Sequence, residues 1–100
     1  VKVSELRPGM DGVYVVVRLV ALDQPKEVET RSGRHVMAEG AVEDNSGSIG
    51  LRVWDERVED MSEMRAGDLI EVGNGFVTSY RGVWRLNVGK MGYVRKVRTS

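Results

Sequence analysis

Phe76, Tyr80 and Trp84 fall within nine residues of one another, and each is flanked by small, polar or basic residues: Gly75, Thr78, Ser79, Arg81, Gly82 and Arg85. Trp54 stands two residues from Arg52. Rings interleaved with guanidinium groups can stack on flat, unsaturated partners. Unpaired nucleobases fit best, at about 1–3 kcal/mol per base, while cations take phosphate oxygens or base edges. The cations that can join the rings are Arg18, Lys26, Arg31, Arg34, Arg52, Arg81 and Arg85.

Covalent chemistry finds little to work with. There is no nucleophile elbow, no phosphate-binding Walker loop, no His/carboxylate metal cluster and no Ser/His/Asp set. The run Gly73–Asn74–Gly75 begins like a dinucleotide fingerprint, but it lacks the third glycine and leads into a strand. Glu43 and Asp44 read as the solvated end of a hairpin rather than a catalytic pair. With no cysteine, disulfides and thiolate metal sites are excluded, and the single His35 cannot hold a metal alone. No enzyme, metal or cofactor is expected.

A length of 100 residues with 41% hydrophobic content suits one domain with a packed core. No apolar run approaches a membrane span, and the opening residues lack the pattern of a signal peptide. The expectation is a soluble cytoplasmic domain. Net charge is zero, yet unevenly spread. Residues 55–71 hold seven acids against Arg57 and Arg65, whereas residues 81–98 hold six bases, Arg98 included, and no acid. A balanced chain can thus carry one basic and one acidic face. Arg outnumbers Lys eleven to four.

The elements that must position these side chains follow from periodicity. Residues 12–23 alternate, with Val13, Val15, Val17 and Leu19 inward, as a long bent strand shared by two sheets. Residues 23–34 read as a polar loop with Pro25 and Gly33. Residues 35–43 form a second strand, with Ala38, Gly40 and Val42 inward. Residues 44–47 form a tight turn. In the third strand, residues 48–55, Ile49, Leu51 and Val53 go in, while Arg52 and Trp54 go out. Residues 56–66 are the one helical candidate, capped by Asp55, striped by Val58, Met61 and Met64, and ended by Gly67. Residues 68–79 make the fourth strand, where Gly73 and Gly75 mark a bulge or bend. Residues 83–97 make the fifth, where Trp84 shares parity with Leu86 and Val88 and reads as core. Phe76 and Tyr80 share the opposite role with Trp54, an external aromatic face. The order gives an all-β fold: a five-stranded antiparallel Greek-key OB-fold barrel with one short helix between strands 3 and 4, filling residues 1–100 as a single nucleic-acid-binding domain.

These residues also carry a family resemblance. Asp44, Gly47, Ile49, Leu51, Val53 and Trp54 match a hairpin pattern, D-x-x-G-x-[IV]-x-L-x-[LV]-W. Gly67, Asp68, Ile70, Phe76, Tyr80, Arg81 and Gly82 match the pattern that follows it, and Leu6, Arg7, Pro8 and Met10 match its opening. Over nearly the whole chain the sequence resembles the simple single-OB-fold single-stranded-DNA-binding proteins of archaea. The resemblance implies that Trp54, Phe76 and Tyr80 stack on bases and that Val28 lies against one. Phe76 stands where some members carry Trp.

The expected function is sequence-tolerant binding of single-stranded DNA in replication, recombination and repair. An RNA-binding domain, or a protein-interaction subunit of a larger complex, is the alternative. The expected partners are single-stranded DNA, with RNA as the alternative, and replication or repair proteins, with no membrane. The chain itself is expected as a monomer or weak oligomer.

Overall fold

Alternation in the first strand translates directly into burial. In the computed structural model, which describes residues 1–97, Val13, Val15, Val17 and Leu19 of β1 (Val13–Leu22) are all buried. β1 is long enough to serve two partners. Its first half pairs with β5 (Leu69–Tyr80), and its second half pairs with β3 (Gly33–Asp44). The register to β3 shifts between Leu19 and Ala21. There Gly40 runs so close that a side chain on it would collide with the Ala21 carbonyl. The expected bend is therefore real. So is the bulge near Gly73 and Gly75, where the β1–β5 register slips and Asn74 takes a φ of +52°.

β4 (Gly47–Trp54) pairs antiparallel with β3 through a two-residue turn, Asn45 and Ser46. β6 (Val83–Val88) pairs antiparallel with β5 and parallel with β4, from Gly50 opposite Arg85 to Val53 opposite Val88. The order β1–β3–β4–β6–β5 then returns to β1 and closes a ring of five strands. The β4–β6 pair is parallel, so the expected fully antiparallel arrangement is corrected at that one seam. Ring closure leaves no unpaired edge among those five strands.

Three further expectations change. Residues 23–34 contain a strand, β2 (Lys26–Thr30), folded back on β3 as a hairpin. The expected fifth strand divides into β6 and β7 (Tyr93–Lys96), with a turn at 89–92 closed by Gly92 N–H donating to the Gly89 carbonyl at 3.0 Å. β7 adds to β5 outside the ring, held where Arg95 and the Tyr93 hydroxyl bond the Glu71 carboxylate. The helix α1 covers only Glu56–Asp60. The apolar residues Val58, Met61 and Met64 recur every three positions, a spacing that suits tighter turns. The bonds beyond it are of that type, Met61 N–H to Val58 and Met64 N–H to Met61.

One core fills the ring. Leu6, 1% exposed, follows a short 3-10 turn (Val3–Glu5) and closes the end where β4 begins. Met61 and Met64 close the end where β4 finishes. Arg98 of the expected basic segment lies outside the described residues.

Candidate nucleic-acid interface

Residues directly opposite one another on paired strands share a face. The registers therefore define one continuous outer surface across β2, β3, β4, β6 and β5. Val28 sits opposite His35. Lys26, Met37 and Trp54 form the next row. Glu39, Arg52, Asn87 and Phe76 form another, and Ala41, Gly50, Arg85 and Thr78 the one after. Tyr80, opposite Val83, ends it. The structure thus brings together Trp54, Phe76, Tyr80, Val28, Lys26, Arg52 and Arg85. Phe76 is 38% exposed and Tyr80 64%. Trp54 is half-buried.

Trp54 is braced on two sides. Its Nε1–H donates to Oδ1 of Asn87 at 3.1 Å. Asn87 is 2% exposed, and its Nδ2 in turn donates to the Thr78 hydroxyl at 2.9 Å. An indole N–H can only donate, so the amide oxygen must face it. On the other side the His35 ring meets the indole edge-on, 6.3 Å between centroids and 89° between planes.

His35 is itself held at both nitrogens. Nδ1 lies 2.8 Å from the Asp55 carboxylate and Nε2 2.7 Å from the Ser32 hydroxyl. Asp55 also accepts from the Val36 backbone N–H at 3.1 Å. That backbone bond, then His35, holds its carboxyl below the usual range. Asp55 makes no side-chain cap on α1 and has a φ of +50°, which corrects the expected capping role. Its carboxylate instead pins the start of β3 beside Trp54. Ser32, His35 and Asp55 also form the Ser/His/Asp alignment that the sequence did not show, because the three lie 3 and 20 residues apart. The Ser32 N–H donates to Thr30 Oγ1 at 3.3 Å. The relay braces the hairpin tip against the tryptophan.

The cations of the face converge on one acid. Glu39 lies 3.3 Å from each of Lys26 Nζ, Arg52 Nε and Arg85 Nε. Burial pushes its carboxyl up, but the bonds and charges of Arg52, Lys26 and Arg85 outweigh this and hold it below the usual range. Arg81 occupies the β5–β6 turn at a φ of +52°, followed by Gly82 at +81°, the pair of positive angles that a tight hairpin turn needs. Its guanidinium lies 5.3 Å from the Tyr80 ring centroid. Arg31 sits in the β2–β3 turn.

Two expected cations are not brought to this face. Arg34 has the parity opposite to His35 and pairs with Glu27 and Glu29 at 3.8 and 3.6 Å. Arg18 lies on β1 and donates to the Gly67 carbonyl at 2.7 Å. Trp84 is a correction of another kind. It is 42% exposed, not core. Its parity matches Leu86 and Val88 as expected, but the β5–β6 hairpin runs past the end of the ring, where Leu6 already fills the interior. Sequence reasoning missed His35, Glu39 and Asn87 as parts of the site. Each left only a trace of parity: His35 and Glu39 alternate with the inward Ala38, Gly40 and Val42, and Asn87 is in phase with Arg85.

Over residues 6–96 the chain matches the family "Single-stranded DNA binding protein Ssb-like, OB fold" and belongs to it. Single-stranded DNA binding protein Ssb of Saccharolobus solfataricus is 28% identical over 88 residues, 88% of this chain and 57% of that protein. Replication factor A of Methanothermobacter thermautotrophicus is 29% identical over 73 residues, 73% of this chain and 9% of that protein. The chain therefore spans a little over half of the first relative and a small part of the second. The second OB-fold domain of replication protein A from Methanococcus maripaludis superposes with a TM-score of 0.82 at 26% identity, covering 100% of this chain and 96% of that one. The fold is the OB fold expected from the order of strands. Among the described residues no helix is long and apolar enough to cross a membrane.

Proposed function

We propose that this chain binds single-stranded DNA with little regard to sequence, in replication, recombination and repair at the nucleoid. Bases stack on Trp54, Phe76 and Tyr80 and lie against Val28. Arg31, Arg81 and the Glu39-tethered Lys26, Arg52 and Arg85 meet phosphates or base edges. The observation that carries the reading is the single outer face shared by three rings and several cations. Each base has a π-face, so such a platform tolerates all four. Family membership supports the same reading, and the role is one of binding rather than catalysis.

The test is a fluorescence titration of Trp84→Phe, which leaves Trp54 as the one indole. Oligo-dT should quench it and duplex DNA should not, because paired bases stay stacked away from the ring. Oligo-rU measures the RNA alternative, since stacking alone does not test for a 2′-hydroxyl. Equal affinity for duplex removes the stacking reading. A second reading, a protein-interaction subunit, draws on zero net charge and the acidic segment 55–71. Absence of oligonucleotide binding at low salt would favour it.

A further inference from the structure

We propose that Trp84 and Arg7 form a second nucleotide site, which takes a base and its phosphate from the same single strand as it leaves the outer face. This rests on the single-strand reading above and extends it to a part of the surface that the platform does not use.

Trp84 contributes little to the core and is 42% exposed, an unusual position for the largest side chain. The Arg7 guanidinium lies 5.9 Å from its ring centroid. Nη1 of Arg7 donates to the Ser4 and Leu6 carbonyls at 2.9 and 2.7 Å, which fixes the group over one face of the ring and leaves the other for a base. Among the described residues no carboxylate lies within ion-pair distance of it. The two side chains line a cleft of about 490 Å³ whose walls carry one cation and no acid. A ring for a base beside an uncompensated guanidinium for a phosphate is the chemistry of a nucleotide.

The cleft is continuous with the outer face. Ala41 and Gly50 belong to both: they lie in the row of Arg85 and Thr78, and they line the cleft. Their small size makes a low saddle. A Cβ on Gly50 would stand 3.3 Å from Cγ of Arg85 and narrow the passage. A strand stacked on Phe76 and Tyr80 can therefore pass Arg85 and reach Trp84 over the small residues Ala41 and Gly50. An acidic protein segment would find one cation but little to fill the remaining apolar wall, so nucleic acid is the better match.

The experiment compares oligo-dT of about 6 and about 15 nucleotides, within the range of site sizes for one OB fold. The short strand should bind wild type, Trp84→Ala, Trp84→Phe and Arg7→Gln equally, and it should depend on Trp54. With the long strand, Trp84→Ala should weaken binding about tenfold, as expected for one lost stacked base. Trp84→Phe should restore most of that loss, and Arg7→Gln should flatten the salt slope by about 0.7. In Trp54→Phe, where Trp84 is the one indole, only the long strand should quench fluorescence. A long strand indifferent to Trp84→Ala overturns the second site alone. Equal losses on both lengths also overturn it, because the ring would then serve the fold. A wild-type protein that binds neither strand overturns the single-strand reading itself.

Discussion

The indole N–H of Trp54 and the side-chain oxygen of Asn87 meet at 3.1 Å across the parallel seam between β4 and β6. A half-buried ring on the outer face is thereby oriented by an amide that lies under it. Trp54→Ala should weaken oligo-dT binding by about 1–3 kcal/mol. It should also cost stability, about 1–3 kcal/mol, because the buried Asn87 oxygen loses its donor. Trp54→Phe should keep most of the binding and lose the same hydrogen bond. Titration and thermal melts on the two variants separate the roles of ring and N–H.

Trp84 and Leu86 share parity but not depth. Leu86→Ala should destabilise the fold by about 2–5 kcal/mol, as a truncation inside the ring. Trp84→Ala should cost about 1 kcal/mol or less, because half of the ring already faces solvent. Urea unfolding of the two variants side by side checks the order, and a larger loss for Trp84 would return that ring to the core.

Glu39 competes with phosphate for Lys26, Arg52 and Arg85. Glu39→Gln should tighten oligo-dT binding by about 1 kcal/mol and steepen the salt dependence by about one phosphate contact. In wild type the slope of log K against log salt should lie near about −2 to −3.5, from about three to five contacts. Neutralising Arg81 and Arg85 together should flatten it by about one unit, and neutralising Arg57 and Arg65 should leave it alone. A salt series with each variant is the measurement. An unchanged slope in the first double variant would take the β5–β6 hairpin off the binding face.

Acid should unfold the protein through its bonded carboxylates. Glu39, Asp44, Asp55, Asp68 and Glu71 are all held below their ordinary values, Asp44 chiefly by the Ser46 hydroxyl and Glu71 chiefly by Arg95. A depressed folded value gives stability that is present above the unfolded carboxylate range, about pH 4, and lost as pH falls through the folded values. Melting temperature should be flat from neutral pH to about 5 and fall steeply below about 4. Glu71→Gln should make that fall shallower while lowering the plateau.

Much of this was legible because strands have a period of two. The alternation from Val13 to Leu19 gave the inward side of β1, and the phase of Ile49, Leu51 and Val53 put Arg52 and Trp54 outside. Parity assigns a side and not a depth, so the phase of Trp84 points inward although its part of the hairpin lies past the ring. β2 was invisible for a related reason: Lys26, Glu27, Glu29 and Thr30 are polar on both faces, as a strand lying off the core can be. The His35–Asp55 contact and the Trp54–Asn87 contact span 20 and 33 residues. No local pattern encodes such distances, and the same holds for the parallel pairing of β4 with β6.

That parallel seam also governs the order of events in folding. Gly50 to Val53 pair with Arg85 to Val88, so the ring cannot shut until β6 has been made, some 35 residues after β4. The β3–β4 hairpin can form early through its two-residue turn, whereas closure must wait for a contact distant in sequence and bear the corresponding chain entropy. During synthesis β4 therefore presents an open edge, next to the Trp54 face, that is satisfied only once β6 has emerged. Folding should accordingly be slow for a chain of this length, with variants at Leu51 and Leu86 slowing refolding together if the seam forms in the rate-limiting step.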